Sequence, residues 1–248
     1  MVGAYTAFYA ITTFHLHPVF SVVLAVAVST LLGVAIEKIA YTPLRSAPRL
    51  SLLITAIGIS FLLENGAQLL FGADTKSMDV IVPGNVSIFG TTVSYAAILT
   101  ILVSLAAMAA LTFLVQKTRL GKAMRAVSED MGAAQLMGIS LNKTISFTFA
   151  VGSALAGIGS VLYLCAYPQA SPTMGSMLGL KAFVAAVLGG IGSIPGAMIG
   201  GMAIGLLEAL VSAIGLSVWK DGVVFAILIV VLLVKPTGIM GHKTTEKV

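Results

Sequence analysis

Charge is scarce in this chain. Asp, Glu, Lys and Arg together make up 9% of the 248 residues, while hydrophobic residues make up 58%. A soluble domain of this size carries about a quarter charged residues. The composition therefore predicts an integral membrane protein, surrounded mostly by lipid.

Cysteine and histidine are also rare. The single cysteine, Cys165, excludes an intrachain disulfide and any metal site built from several cysteines. The three histidines, His15, His17 and His242, lie near the ends of the chain and lack the spacing of metal ligands. We therefore expect loop or interface histidines, no metal and no cofactor.

Motifs of nucleotide hydrolysis and of common enzymes are absent from the sequence. The only Gly-Lys pair, Gly121–Lys122, is followed by Ala123 where a Walker A loop needs Ser or Thr. Neither HExxH nor GxSxG occurs. We predict that the protein is not an enzyme, so any energy from ATP must come from a partner.

Long apolar runs fill most of the chain, and about 20 such residues cross a bilayer. The candidate spans are 18–37, 50–71, 92–115, 144–166, 178–192, 195–214 and 222–235. The run 1–14 is too short to cross alone, and the short spans 178–192 and 222–235 include a candidate for a re-entrant segment. We predict an all-α, polytopic helical bundle of about six to eight transmembrane or partial segments, forming one domain over 1–248.

The basic residues are unevenly divided between the two sides of such a bundle. If 116–143 is cytoplasmic and the spans alternate, eleven basic residues are cytoplasmic: Lys38, Arg45, Arg49, Lys117, Arg119, Lys122, Arg125, Lys143, Lys235, Lys243 and Lys247. Only three lie outside: Lys76, Lys181 and Lys220. Because cytoplasmic loops carry the excess of Lys and Arg, this orientation is predicted. The basic residues follow the topology and form no patch for nucleic acid.

The segment 116–143 is a conspicuous polar stretch between two apolar runs. Five basic and two acidic residues give it a net charge of 5 − 2 = +3. Its residues predict a short helix from about residue 129, started by Ser128, Glu129 and Asp130 and ended by Gly138. The positions at roughly helical spacing are Ala126, Ala133, Ala134 and Met137. Such a helix can lie in a groove of another protein; alternatively, the segment is a solvated loop on anionic lipid head groups.

Glycines recur at four-residue spacing in the last third of the chain, at Gly192, Gly196 and Gly200 and again at Gly201 and Gly205. Residues four apart lie on one face of a helix, so these glycines predict close packing against another helix. A solute path along bare backbone is the alternative.

Two carboxylates fall inside apolar runs, Glu64 and Glu208. Because an ionisable side chain within a membrane is costly, each is a candidate for the solute path, where it could accept the ammonium group of an amino acid. Asn65 and Gln68 would add hydrogen bonds to Glu64. The alternative is an interhelical hydrogen bond or a side chain that reaches the outer surface. Asp221, with Lys220 and Trp219, is expected to be an ordinary interface anchor.

The run RAVSEDMGAAQLMGISLNKTISFTFAVGSALAG, 125–157, resembles the cytoplasmic coupling region of permease subunits of bacterial branched-chain amino acid ABC importers, in particular the LivH-like branch. The resemblance continues in the glycine-rich stretch 187–208 and in KPTGIMG, 235–241. It implies that Ser128 through Ile139 dock on the ATPase, with the family pattern matched at Arg125, Ala126, Asp130, Ala133, Gly138 and Ile139. The opening MVGAY resembles an internal stretch of the family, so we expect the chain to lack the family's first transmembrane helix.

The resemblance implies an importer permease of the bacterial inner membrane that carries branched-chain amino acids. Its partners would be cytoplasmic ABC ATPase subunits, a second permease that is related or identical, and an extracytoplasmic solute-binding protein at outer loops 72–91 and 167–180. Permeases for urea or short amides share this scaffold, and a self-sufficient secondary transporter or channel is the alternative. That alternative predicts matching broken helices in both halves, and only the glycine-rich region is broken.

Overall fold

The computed structural model describes residues 1–45, 47–88, 91–235 and 237–241. His242, Lys243 and Lys247 lie outside the described residues. The described chain contains ten α-helices: α1 Val2–Thr12, α2 Pro18–Ile36, α3 Arg49–Phe71, α4 Tyr95–Lys117, α5 Arg119–Glu129, α6 Met131–Leu136, α7 Leu141–Ala166, α8 Met174–Gly189, α9 Ile194–Ala213 and α10 Lys220–Val234. It divides into two compact units, Met1–Met174 and Gly175–Val248. The single domain over 1–248 stays a prediction.

Six helical segments of the described residues are long and apolar enough to cross a membrane, those at 18–41, 50–71, 95–117, 141–166, 194–213 and 217–234. α8 has only 16 residues. The predicted all-α polytopic bundle is confirmed, and the helical ends differ from the prediction by a few residues. α4 begins after Ser94, whose hydroxyl accepts the N–H of Ala97, so residues 92–94 are not helical.

Strands are limited to two short ribbons in the described residues. β2, Asn85–Ile88, pairs antiparallel with β3, Thr91–Ser94. β1, Lys76–Ser77, pairs antiparallel with β4, Gln169–Ala170. The second ribbon joins the two predicted outer loops, 72–91 and 167–180, within the first unit.

The first unit is built on α1, α2 and α7, which pack against one another. Small residues allow the close approach: a Cβ on Gly33 would overlap Ser153, and one on Gly157 would lie 3.0 Å from the Cα of Val26. α1 buries one face beside these helices. The core of the first unit is formed by Ala4, Ala7, Phe8, Ala25, Ala96, Val161, Leu164, Cys165 and Ala170.

α2 does not end at its first charged residue. A π-helical turn, Glu37–Tyr41, extends it, so the predicted span 18–37 is too short. Glu37 is fully buried, and its carboxylate pairs with Arg45. Because the charge is paired, the helix continues past Glu37, although hydropathy alone predicts that the span ends there.

In the second unit, α8 and α9 approach through glycines. A Cβ on Gly196 would overlap the carbonyl oxygen of Gly189, and one on Gly200 would overlap that of Ala185. Gly201 makes only an ordinary contact, and Gly205 faces open space in the described part of the chain. Gly192 does not belong to the helical stripe, because it lies in the turn before α9 with φ +95°.

The segment after α10 folds back on the end of α8. The N–H groups of Ile239 and Met240 donate to the carbonyls of Leu188 and Gly189, both at 2.9 Å. These are carbonyls of the last helical turn, which have no partner within their own helix. The described residues of the KPTGIMG stretch thus supply hydrogen-bond donors to the free carbonyls at the C-terminal end of α8.

Candidate docking and transport sites

The predicted coupling segment folds as two helices instead of one. α5 begins after Thr118, whose hydroxyl accepts the N–H of Gly121 at 3.0 Å, and runs to Glu129. Asp130 then adopts an extended conformation, and its carboxylate accepts the N–H groups of Gly132 and Ala133 at 2.8 and 3.0 Å. Asp130 is therefore the N-cap of α6.

Ser128 does not start a helix, so that prediction is wrong. It lies in the last turn of α5, and its hydroxyl donates to the carbonyl of Arg125 at 2.7 Å. Glu129 also belongs to α5, and α6 starts at Met131, close to the predicted position, with Asp130 of the predicted pair as its cap. Gly138 ends the segment as predicted, with φ +82°, a conformation that favours glycine.

α6 is anchored by one buried residue and carries exposed large apolar side chains at its ends. Ala134 is buried, and α6 packs against α7. Three large apolar side chains at the two ends of α6 are exposed: Met131, Leu136 and Met137, at 56%, 90% and 83%. We call these three residues the α6 tip. Arg125, Ala133 and Gly138 are exposed as well, whereas Ala126 and Ile139 are half-buried.

The first unit contains a charged cluster that sequence reasoning missed. The buried carboxylate of Glu37 pairs with Arg45 and accepts hydrogen bonds from Ser146 at 2.6 Å and Thr42 at 3.0 Å. Arg45 also donates to the side chain of Asn142. We call these residues the Glu37 cluster. It joins the end of α2 to the first turns of α7, directly after α6.

The second unit contains another cluster, at Lys181. The Lys181 ammonium lies 2.8 Å from a carboxylate oxygen of Glu208 and 2.7 Å from one of Asp221. We call these three residues the triad. Lys181 was counted on the outer side and falls within the predicted span 178–192; it lies within α8. Asp221 is not the ordinary anchor expected, since it shares this ion-pair network.

The remaining candidates for the solute path lie on α3. The side-chain amide of Asn65 donates to the carbonyl of Phe61 at 2.8 Å, so it is bonded to its own helix. Glu64 and Gln68 are half-buried. A role of Glu64, Asn65 or Gln68 in transport stays a prediction.

Six apolar helices joined by polar segments define an all-α, multi-pass integral membrane protein. A family model described as branched-chain amino acid transport system, permease component, matches residues 1–232. The chain belongs to this family, and the predicted resemblance is confirmed. It is a multi-pass protein of the inner membrane.

Curated relatives agree with the family. The chain is 42% identical to the high-affinity branched-chain amino acid transport system permease protein BraD of Pseudomonas aeruginosa, over all of this chain and 85% of that protein. It is 43% identical to LivH of Escherichia coli K12, over 90% of this chain and 74% of LivH. The ribose import permease protein RbsC of the same strain is 29% identical over 47% of this chain and 38% of RbsC. No solved structure matches the chain significantly. These relatives are transport permeases, not enzymes.

Proposed function

We propose that the chain is the permease subunit of an ATP-binding-cassette importer that carries branched-chain amino acids into the cell. The observation that carries this proposal is the match along nearly the whole chain to permeases named for that substrate class. The sequence has no Walker A loop, so ATP hydrolysis takes place in partner subunits. Because a ribose import permease is among the relatives, the substrate class requires a direct test.

The α6 tip is the proposed docking surface for the ATPase. Its large apolar side chains are exposed at the end of a polar segment that is predicted to be cytoplasmic. Exposed apolar side chains of this kind suit a groove on a partner, where burying each contributes about 1.5–3 kcal/mol. Asp130 caps α6, and the buried side chain of Ala134 anchors α6 in the first unit. Both residues hold the docking surface in place.

A solute-binding protein would engage the opposite side. The β1–β4 ribbon supports this proposal, because it joins the two predicted outer loops into one surface. Lys76 of β1 is held by the hydroxyl of Tyr9 at 2.5 Å and lies over its ring. The surface is thereby attached to α1. A second permease, related or identical, would complete the translocation path.

Docking can be tested by co-purification of the cognate ATPase subunits with a double variant, Leu136→Ser with Met137→Ser. We expect at least a tenfold loss of retained ATPase, since two hot-spot side chains are removed. Val218→Ser is the matched control, because Val218 is 93% exposed and lies on the predicted outer side. Full retention by the double variant would exclude the α6 tip as the docking site. Failure of the wild-type chain to retain ATPases would contradict the importer itself.

A further inference from the structure

Three helices of the second unit each bring one charged side chain to a single point. Lys181 comes from α8, Glu208 from α9 and Asp221 from the first turn of α10. Among the described residues of this unit the other charged side chains are Lys220 and Lys235, and neither forms an ion pair there with these carboxylates. The triad therefore holds two carboxylates for one ammonium group.

The side chains of the triad are partly exposed, although the two carboxylate oxygens nearest Lys181 are themselves buried. The side chains of Lys181, Glu208 and Asp221 are 21%, 23% and 34% exposed. Ionised groups inside apolar helices face the interior of a bundle or a water-filled cavity, because lipid does not solvate them. We therefore expect this face of the second unit to be turned away from lipid.

The triad also lies toward the ends of its helices that are predicted to be extracytoplasmic. Lys181 is seven residues after Met174, and Glu208 is five before Ala213, which corresponds to roughly 10 and 8 Å along the helices. Asp221 follows the first residue of α10. A solute released from the outer side would therefore reach the triad early on its way across.

A free amino acid carries the same kinds of charge as the triad. Its carboxylate can pair with Lys181 while its ammonium pairs with a carboxylate released from Lys181. In this exchange every charge keeps a partner, which a low-dielectric site requires. A solute with only a carboxylate takes Lys181 and leaves both acids without a cation, whereas a solute with only an ammonium group can pair with the second carboxylate but gives Lys181 no new partner.

We propose that Lys181, Glu208 and Asp221 bind the zwitterionic backbone of the transported amino acid, with Lys181 on its carboxylate and the two acids on its ammonium group. This proposal rests on the proposed function and names a recognition site for it. The site reads the charges that all amino acids share, so it separates amino acids from sugars and amides.

The experiment uses the complete importer and three probes with one side chain: leucine, leucinamide, which lacks the carboxylate, and 4-methylpentanoate, which lacks the ammonium group. Ligand binding raises the unfolding temperature of the complex, and the stabilisation grows with the logarithm of the ratio of ligand concentration to Kd. We expect leucine to raise it most in the wild type, leucinamide to raise it less, and 4-methylpentanoate to leave it unchanged. Glu208→Gln should weaken the affinity for leucine by roughly tenfold to a hundredfold, because a charged hydrogen bond is lost. The leucine-induced rise in unfolding temperature should shrink accordingly. Lys181→Arg should retain it, and Lys235→Gln is the matched control, because Lys235 lies at the other end of α10.

ATP-driven leucine uptake is measured in parallel, so that the two proposals fail separately. If Glu208→Gln takes up leucine as the wild type does, or if all three probes stabilise the wild type equally, the triad is a structural ion network and the inference is wrong. If the wild-type importer takes up no leucine, the proposed function fails and takes the inference with it.

Discussion

Both units bury ionised side chains in apolar helices, but the two clusters differ in exposure and in balance. Glu37 is fully buried, pairs with one arginine and receives two further hydrogen bonds. The triad is one-fifth to one-third exposed and holds a second carboxylate for its one lysine. A balanced pair with a fully buried carboxylate fixes helices to one another, whereas a set with partly exposed carboxylates and one carboxylate in excess can exchange partners with a solute. Charge within a membrane therefore has a structural use in one unit and a proposed binding use in the other.

The largest effect is expected from opening the Glu37 cluster. Arg45→Met leaves a buried carboxylate without its counter-ion, which costs about 3–5 kcal/mol for a fully buried pair. Because Arg45 is 24% exposed and two hydroxyl donors to Glu37 remain, we expect the lower end, about 3 kcal/mol. The free energy of unfolding in detergent measures the loss. The double variant Glu37→Gln with Arg45→Met should recover most of it, and a double variant less stable than Arg45→Met would contradict the pairing.

The triad depends on the packing that holds α8 beside α9. Gly200→Ala would force a Cβ into the carbonyl oxygen of Ala185, and overpacking of this kind costs about 1–3 kcal/mol. Gly205→Ala is the matched control on the same helix, where we expect a change within about 0.5 kcal/mol. Thermal unfolding of the two variants separates them. Equal losses would mean that the helices do not pack as described.

The Glu37 cluster fixes the start of α7, and α6 lies directly before that fixed point. Asp130→Ala removes the cap of α6, which costs about 1 kcal/mol, and should loosen the helix without opening the bundle. Hydrogen exchange should accelerate at Gly132 and Ala133, and retention of the ATPase should fall. Ser128→Ala is the control, because Ser128 does not cap α6. Unchanged exchange in Asp130→Ala would contradict the cap.

The smallest effect on stability is expected at the triad itself. Glu208→Gln leaves the pair of Lys181 and Asp221 intact, and partly exposed ion pairs contribute up to about 1 kcal/mol. The free energy of unfolding should therefore change far less than in Arg45→Met. A loss as large as that of Arg45→Met would make the triad a structural cluster like the first and remove the contrast.

Sequence reasoning located the helices well, because length and hydropathy alone decide which segments lipid accepts. The sequence prediction was wrong where the structure depends on a partner residue that is distant in sequence. Glu37 and Ser146 are 109 residues apart in sequence, so nothing local indicated that the charge of Glu37 is paired and that α2 continues. The pairing of Lys181 was missed for the same reason. Its two carboxylates come from other helices.

Local chemistry near α6 was predictable in kind but not in position. Ser128, Glu129 and Asp130 are all reasonable helix starts, and only the extended backbone of Asp130 selects one of them. Among the glycines, spacing did not distinguish Gly200, which meets a carbonyl, from Gly205, which meets nothing in the described residues. That difference depends on the crossing of α8 and α9, which no four-residue repeat specifies.

The central claim is that this chain moves amino acids with energy supplied by partner ATPases. Leucine uptake into proteoliposomes tests it most directly, with the permease alone compared with the complete importer and its binding protein, each with and without ATP on the ATPase side. We expect the complete importer with ATP to accumulate leucine against its gradient, and the chain alone to accumulate none. Leucine accumulation by the chain alone, driven by an ion gradient, would contradict the claim.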